Sequence, residues 1–529
     1  MRIVSPTRIG RLVAGGTMDG PIASGARWPI VAVVSLMAAL QMVALHFKPA
    51  LLFEWRPADL ASIALNYYRH GFAFLYPQIL WGGSGPGYVE MECPLIPYLT
   101  ACLYLLFGVR DWVALLIPMA SGLGLSVTTY LLAKRSFGEL AGLIAGLLVA
   151  LSPTVVDMST GLWPDVPPLF IGTLGLYFLM GWVEDDARWR FRAAVVCIAL
   201  APLLKLTALY VGLPVLFLLW TKYRAGTWRA PRVWLFAAVT LLPSIAWYAH
   251  AYSLAHVYGN TFGILAGGYL KFASTQLLTS GSFYARTLAR VVLFQLTPMG
   301  ACLAACGLLA RPNRVADYLV PIWLINVVFY LGVVATGVSM GHHQYALPIV
   351  PPSAVLGGRG AAWLLRWLSR LPLGWSTRTA TTAMLCIMGV NAAAAMTLYQ
   401  ARGTDYRERS IDKMRTGLAL KAETADDALI VVVDGDMNGR SPTTSMTPPE
   451  VFYFADRRGW YRAMDWLDEQ AIEDLRQGGA RYLAVSLPDA SLFRAGYPAL
   501  YNALGRRYHV LFDDSRGILY ELMPERSAP

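Results

Sequence analysis

Apolar stretches long enough to cross a bilayer recur from residue 28 to residue 399, and no soluble fold can bury that many of them. A spanning helix takes about 20 mostly apolar residues. We read eleven such spans: 28–47, 112–133, 139–157, 164–183, 191–204, 206–221, 231–250, 291–310, 316–337, 345–366 and 378–399. Composition agrees: 56% of the 529 residues are hydrophobic and 15% are charged, against about 25% charged in a soluble domain. The fold class expected is a mostly α, polytopic membrane helical bundle.

Charge orients the spans. Residues 1–399 carry 27 Lys and Arg against 13 Asp and Glu, a balance of +14, whereas residues 400–529 carry 17 against 20, a balance of −3. With the N-terminus in the cytosol, the inside connections hold Lys134 and Arg135; Arg188, Arg190 and Arg192; Lys222, Arg224, Arg229 and Arg232; Arg311 and Arg314; and Arg366, Arg370 and Arg378. The outside connections 158–163 and 338–344 hold no Lys or Arg. This is the cytoplasmic bias of membrane proteins, and it explains the basic excess without a nucleic-acid partner. Residues 94–108 are apolar, but they are short and contain Pro94 and Pro97. Counting them as a span would put every Arg cluster outside, so they are expected to lie along the outer interface.

The organisation that follows is a cytosolic leader at 1–27, a transmembrane domain at 28–399 with a large first outer loop at 48–111, and an outer α/β domain at 400–529. In that last domain the patterning predicts helices at 404–421 and 468–476, strands at 428–434 and 481–487, and a hairpin across 508–522. The six cysteines, at 93, 102, 197, 302, 306 and 386, form no C-x-x-C pair and suggest neither a disulfide framework nor a metal site.

In this topology no acid sits in mid-span, where an ion-driven transporter usually needs one. The outer acids are Glu54, Asp59, Glu90, Glu92, Asp111, Asp157 and Asp165. Asp59 follows Pro57 and reads as a helix cap or as a functional acid. Glu90 and Glu92 alternate, so an extended segment points them the same way; the pair reads as solvated or as catalytic. Asp165 stands where the chain re-enters the membrane, again a cap or a second functional acid. The outer bases that stand out are Lys205, Arg286, Arg290, His342 and His343. Arg286 and Arg290 share one helix face and suit either headgroup snorkelling or a phosphate clamp.

Five stretches together resemble the GT-C superfamily of membrane glycosyltransferases, in particular the family-39-type group of protein O-mannosyltransferases and the lipid A aminoarabinose transferase. They are Asp59 through Ala64 and Tyr67 to Gly71; Pro94-Leu95-Ile-Pro-Tyr98 through Phe107-Gly108; Ser152-Pro153 followed by Asp165; Lys205-Leu-Thr207-Ala208; and His343-Gln-Tyr345-Ala-Leu-Pro348. The likeness runs in order over roughly residues 28–360. One departure is Leu60, where many members carry Glu after the first Asp; Glu90 or Glu92 would then supply the second carboxylate.

The resemblance implies transfer of a sugar from a polyprenyl-phosphate donor to a cell-envelope acceptor (glycan, lipid or protein) at the outer face of the inner membrane, with inversion. It implies Asp59 as general base. Glu90, Glu92, Asp165, His342 and Tyr345 would bind substrate, and Lys205, Arg286, Arg290 and His343, also substrate-binding, would neutralise the departing lipid phosphate. Asp59 and Asp165 would hold Mg²⁺ or Mn²⁺ if a divalent cation takes part. Two other classes remain open: a transporter or lipid flippase without chemistry, and a glycan ligase or polymerase.

Overall fold

The computed structural model describes residues 27–48, 54–267, 273–312, 315–340, 342–370, 376–435 and 449–523. The leader read at 1–27 falls outside them except for Arg27. The fold is mostly α. Every expected span is helical over most of its length. Among the described residues, six helices are long and apolar enough to cross a membrane: Trp28–His46, Asp111–Phe137, Val166–Asp185, Leu206–Arg229, Pro231–Tyr258 and Thr377–Arg402. Two bent pairs raise the number to eight. The expected spans 191–204, 316–337 and 345–366 fall on Arg188–Leu204, Leu319–Val333 and Val350–Leu368. The first two are short, and the first and third carry arginines, so length and composition alone do not reach eleven.

The bent pairs differ from the straight spans read at 139–157 and 291–310. Glu139–Ala150 and Pro153–Ser159 meet at 62°. Pro153 has no N–H to continue the ladder, and Ser152 Oγ starts a new helix by accepting from the Val155 N–H at 3.4 Å. Gly281–Gln295 and Pro298–Leu309 meet at 105°. Here Thr297 sits at φ +60° and caps the second helix before Pro298. The helix Leu95–Phe107 buries Ile96, Thr100, Ala101 and Tyr104 and exposes Leu99, Leu105, Leu106 and Phe107. That amphipathic division suits an interfacial helix.

A parallel pair of two-residue strands, β1 (Val89–Glu90) and β2 (Asn260–Thr261), ties the first loop to the segment after the Pro231–Tyr258 helix. The C-terminal residues form a five-stranded sheet. Its strands are β3 (Leu429–Asp434), β4 (Arg458–Ala463), β5 (Ala480–Val485), β6 (His509–Asp514) and β7 (Gly517–Glu521). Their order is β4-β3-β5-β7-β6, with β4, β3 and β5 parallel and β7 antiparallel to both β5 and β6.

The unbroken apolar run of β3 signals burial on both faces, and both are buried. Val431 and Val433 pack with Ile472, Leu475 and Phe493 of the domain's own helices. Ile430 and Val432 pack with Leu60, Ile63 and Tyr67 of the Trp55–His70 helix and with Ile96 and Tyr104 of the Leu95–Phe107 helix. The C-terminal domain therefore shares one core with the first loop. Gly83 N–H donates to the Gly459 carbonyl at 2.7 Å, Gly459 N–H donates to Leu80 at 3.0 Å, and Arg69 pairs with Asp456 at 2.6 Å.

Candidate active site

Where the helical bundle meets this shared core there is a cavity of about 1180 Å³. Its walls come from three sources: the first loop, the adjoining ends of the spanning helices, and the C-terminal domain. Glu54, Arg56 and Glu92 are from the loop; Asp157, Asp165, Lys205 and His343 are from the helix ends; Arg409, Lys413 and Glu450 are from the C-terminal domain. A flank of Leu209, Phe329, Val333 and Met340 continues to exposed apolar helix surface.

Asp59 is not part of the cavity wall. The helix that carries it begins at Trp55, so Asp59 lies inside the first turns and caps nothing. It is 3% exposed, and its Oδ1 accepts from Trp81 Nε1 at 2.9 Å. Burial pushes the carboxyl up to about 7, against the pull of Arg56 and that hydrogen bond. The acid on the cavity wall is Glu54, just before the helix. Its Oε2 accepts from Trp163 Nε1 at 3.0 Å. Burial holds the Glu54 carboxyl above its ordinary value, against the pull of Lys48. Asp157, beside it, raises Glu54 further. Asp157 accepts from the Tyr399 hydroxyl at 2.8 Å, and Lys48 Nζ lies 3.7 Å from its other oxygen.

The other expected acids have separate partners. Glu90 is fully buried and unsolvated; it receives Thr261 Oγ1 and the backbone N–H groups of Ile264 and Leu265, the last at 2.7 Å. It organises the loop after β2 and does not line the cavity. Glu92 does, in a 2.5 Å ion pair with Arg56, whose guanidinium stacks 4.0 Å from the Phe262 ring centroid. The two glutamates thus do not act as a pair. Asp165 pairs with Lys205 at 2.5 Å and makes no side-chain cap. Of the expected metal pair, Asp59 is held by Trp81 and Asp165 by Lys205. Among the described residues no group of three His, Cys, Asp or Glu is placed to hold a metal ion.

The bases sort similarly. Lys205 Nζ lies 5.9 Å from the Tyr345 ring centroid, and both line the cavity, as do His342 and His343. Burial, and then Arg290, pushes His343 down to about 4. A neutral imidazole is a hydrogen-bonding group at neutral pH and brings no charge to a phosphate. Arg290 donates to the Val338 carbonyl at 3.0 Å and lies within electrostatic reach of His343. Arg286 is exposed, bonds back to Ser282 on its own helix at 3.0 Å, and is not part of the cavity.

Sequence reasoning missed Arg402 and Arg407. Arg402 stacks on Phe294 at 5.5 Å and makes no ion pair among the described residues; Arg407 donates to Gln400 and reaches Glu54 electrostatically. Both stand where the last span runs into the C-terminal domain, a position that reads in sequence as an ordinary charged helix end.

Residues 91–249 match the dolichyl-phosphate-mannose-protein mannosyltransferase family. No curated protein sequence matches the chain. Among solved structures, ArnT from Cupriavidus metallidurans is similar in its apo state (TM-score 0.66, 16% identity, 96% of this chain and 100% of that one). It is also similar when bound to undecaprenyl phosphate (TM-score 0.64, 16% identity, the same coverage). The Archaeoglobus fulgidus oligosaccharyltransferase, solved with Zn and sulfate, is similar at TM-score 0.57 and 13% identity over 93% of this chain and 73% of that one. The chain thus has the fold of the GT-C superfamily of membrane glycosyltransferases.

Proposed function

We propose that this protein transfers a sugar from a polyprenyl-phosphate donor to a hydroxyl or amine of a cell-envelope acceptor, at the outer face of the membrane. The observation that carries the reading is the composition of the cavity. Two neighbouring carboxyls, Glu54 and Asp157, share it with cations that retain N–H donors, Arg402 and Lys205, and with an apolar flank open toward the helix surface. A lipid phosphate sugar has matching parts: an isoprenoid tail, an anionic phosphate and a polar sugar. The structure of ArnT with undecaprenyl phosphate supports a lipid-phosphate ligand in this fold. The charge bias of the connections supports the outer face.

In this reading Glu54 is the general base. It lines the cavity, has no ion-pair partner among the described residues, and its carboxyl is held above its ordinary value by burial, which strengthens it as a proton acceptor. As the acceptor oxygen bonds to the anomeric carbon, its proton passes to Glu54. The bond from that carbon to the phosphate oxygen breaks, and its electron pair leaves on the polyprenyl phosphate. Attack from the side opposite the phosphate inverts the anomeric centre. Arg402 and Lys205 stabilise the charge that develops on the leaving group. Asp157, fixed by Tyr399, orients the acceptor.

Purified protein given radiolabelled polyprenyl-phosphate sugars and a cell-envelope extract should move label into an extract component. Glu54→Gln should lower that rate by about 100-fold or more while the variant remains folded. A variant within about threefold of wild type would exclude Glu54 as the base. Absence of transfer by folded wild type from every donor would exclude the reading itself.

A further inference from the structure

The C-terminal domain does more than cover the cavity, because it places side chains in it. The Thr404–Glu423 helix contributes Arg409 and Lys413 to the wall, and the Pro449–Ala455 helix contributes Glu450. The two cations are already matched within the domain: Arg409 bonds Asp489 of the Leu487–Gly496 helix at 3.0 Å and Lys413 bonds Asp434 of β3 at 2.7 Å. Glu450 is different. It is 2% exposed, and its Oε2 has no hydrogen-bond partner among the described residues. A buried carboxyl oxygen left unmatched is costly, and it faces a cavity large enough to bring it a donor.

The groups around Glu450 limit what that donor is. Burial pushes the Glu450 carboxyl up to about 7, against the pull of Lys413 and of its own backbone N–H, and Asp434 and Asp59 add to the rise. A single oxygen with no further ligand set suits one O–H or N–H. Its position also selects the substrate. Tyr406 lies within electrostatic reach of both Glu450 and Glu54, so Glu450 is on the side of the base. The apolar flank that suits the lipid tail is formed by residues 209, 329, 333 and 340 of the bundle. We propose that Glu450 Oε2 receives a hydroxyl or amine hydrogen of the acceptor, so that the C-terminal domain supplies part of the acceptor subsite. The assignment rests on the transfer reading above.

The test compares the full-length wild type with Glu450→Gln and Glu450→Ala. A radiolabelled polyprenyl-phosphate sugar is the donor, and graded amounts of cell-envelope extract are the acceptor. The amount of extract that gives half-maximal rate should rise by about tenfold in Glu450→Ala and by less in Glu450→Gln. The KM for donor, and the slow release of free sugar to water, should stay within about twofold. Glu450→Gln preserves side-chain volume, so it still answers the question if Glu450→Ala does not fold. Transfer by wild type with unchanged acceptor dependence in folded Glu450→Gln and Glu450→Ala would overturn this assignment and leave the transfer reading standing. So would an equal rise in donor KM. No transfer by wild type from any donor would overturn both.

Discussion

Asp59 and Glu54 are close in sequence, and the turn of helix between them separates a cavity acid from a core acid. Asp59 occupies the position at which the GT-C resemblance places the base, yet its carboxyl is committed to Trp81 in the core shared with the sheet. Glu54 stands outside the helix, where its side chain reaches the cavity. The motif was legible and the direction of its side chain was not, because a helix that begins at Trp55 and not after Pro57 rotates Asp59 inward. The consequence is testable. Asp59→Asn keeps an acceptor for Trp81 Nε1 and should transfer sugar within about threefold of wild type, whereas loss of a general base costs about 100- to 10,000-fold. A loss of that larger size in folded Asp59→Asn would return the base to Asp59. His343 shows the same limit. Its place in a motif was visible, but its neutrality comes from burial and from Arg290, which lies far away in the chain.

At the scale of elements, sequence periodicity located the spanning helices and the strands with the most apolar runs, β3 and β5. It did not show β4, whose residues Arg458–Ala463 mix charge and aromatics because one edge lies against the first loop. Nor did it show the helices Leu487–Gly496 and Pro498–Arg507. Pro488 and Pro498 each stand in the first turn, where a missing N–H costs nothing. The pairing of β1 with β2 joins residues so distant that no local pattern reveals it. The first loop meets β4 through a Gly-rich turn at residues 82–87, and this contact depends on Gly83, at φ +76°, where a Cβ would stand 2.6 Å from Trp460 Nε1. Gly83→Ala should therefore lower stability by about 1–3 kcal/mol. It should also speed proteolysis in the turn at 82–87, read by limited digestion of the detergent-solubilised protein. Unchanged melting and digestion would show that the turn is not a structural link.

The membrane bundle and the α/β domain were each legible as fold classes, but the cavity between them was not. Its wall runs from residue 54 to residue 450 and exists only because one face of the sheet is buried against the first loop. Buried acids in the shared core, at the cavity and in the C-terminal domain's own helices also give the whole molecule an unusual response to pH. Asp59, Glu450 and Asp489 are each pushed up to about 7, with burial the largest cause. Unfolded, such carboxyls titrate near 4. Below that value both states hold the proton and the three groups contribute nothing. Between about 4 and 7 the unfolded chain releases protons that the folded chain keeps, so stability falls as pH rises, by on the order of a few kcal/mol per group. His343 acts in the opposite sense: it is neutral when folded but charged when unfolded below about 6.5. It is one group against three. Glu473, pulled to about 2 by Arg476, gains its stability below this window. The detergent-solubilised protein should therefore melt at a higher temperature at pH 5 than at pH 8, and Asp59→Asn should narrow that difference by removing one of the three carboxyls. A melting temperature that rises from pH 5 to pH 8 would mean that these carboxyls meet water or a cation in the folded state.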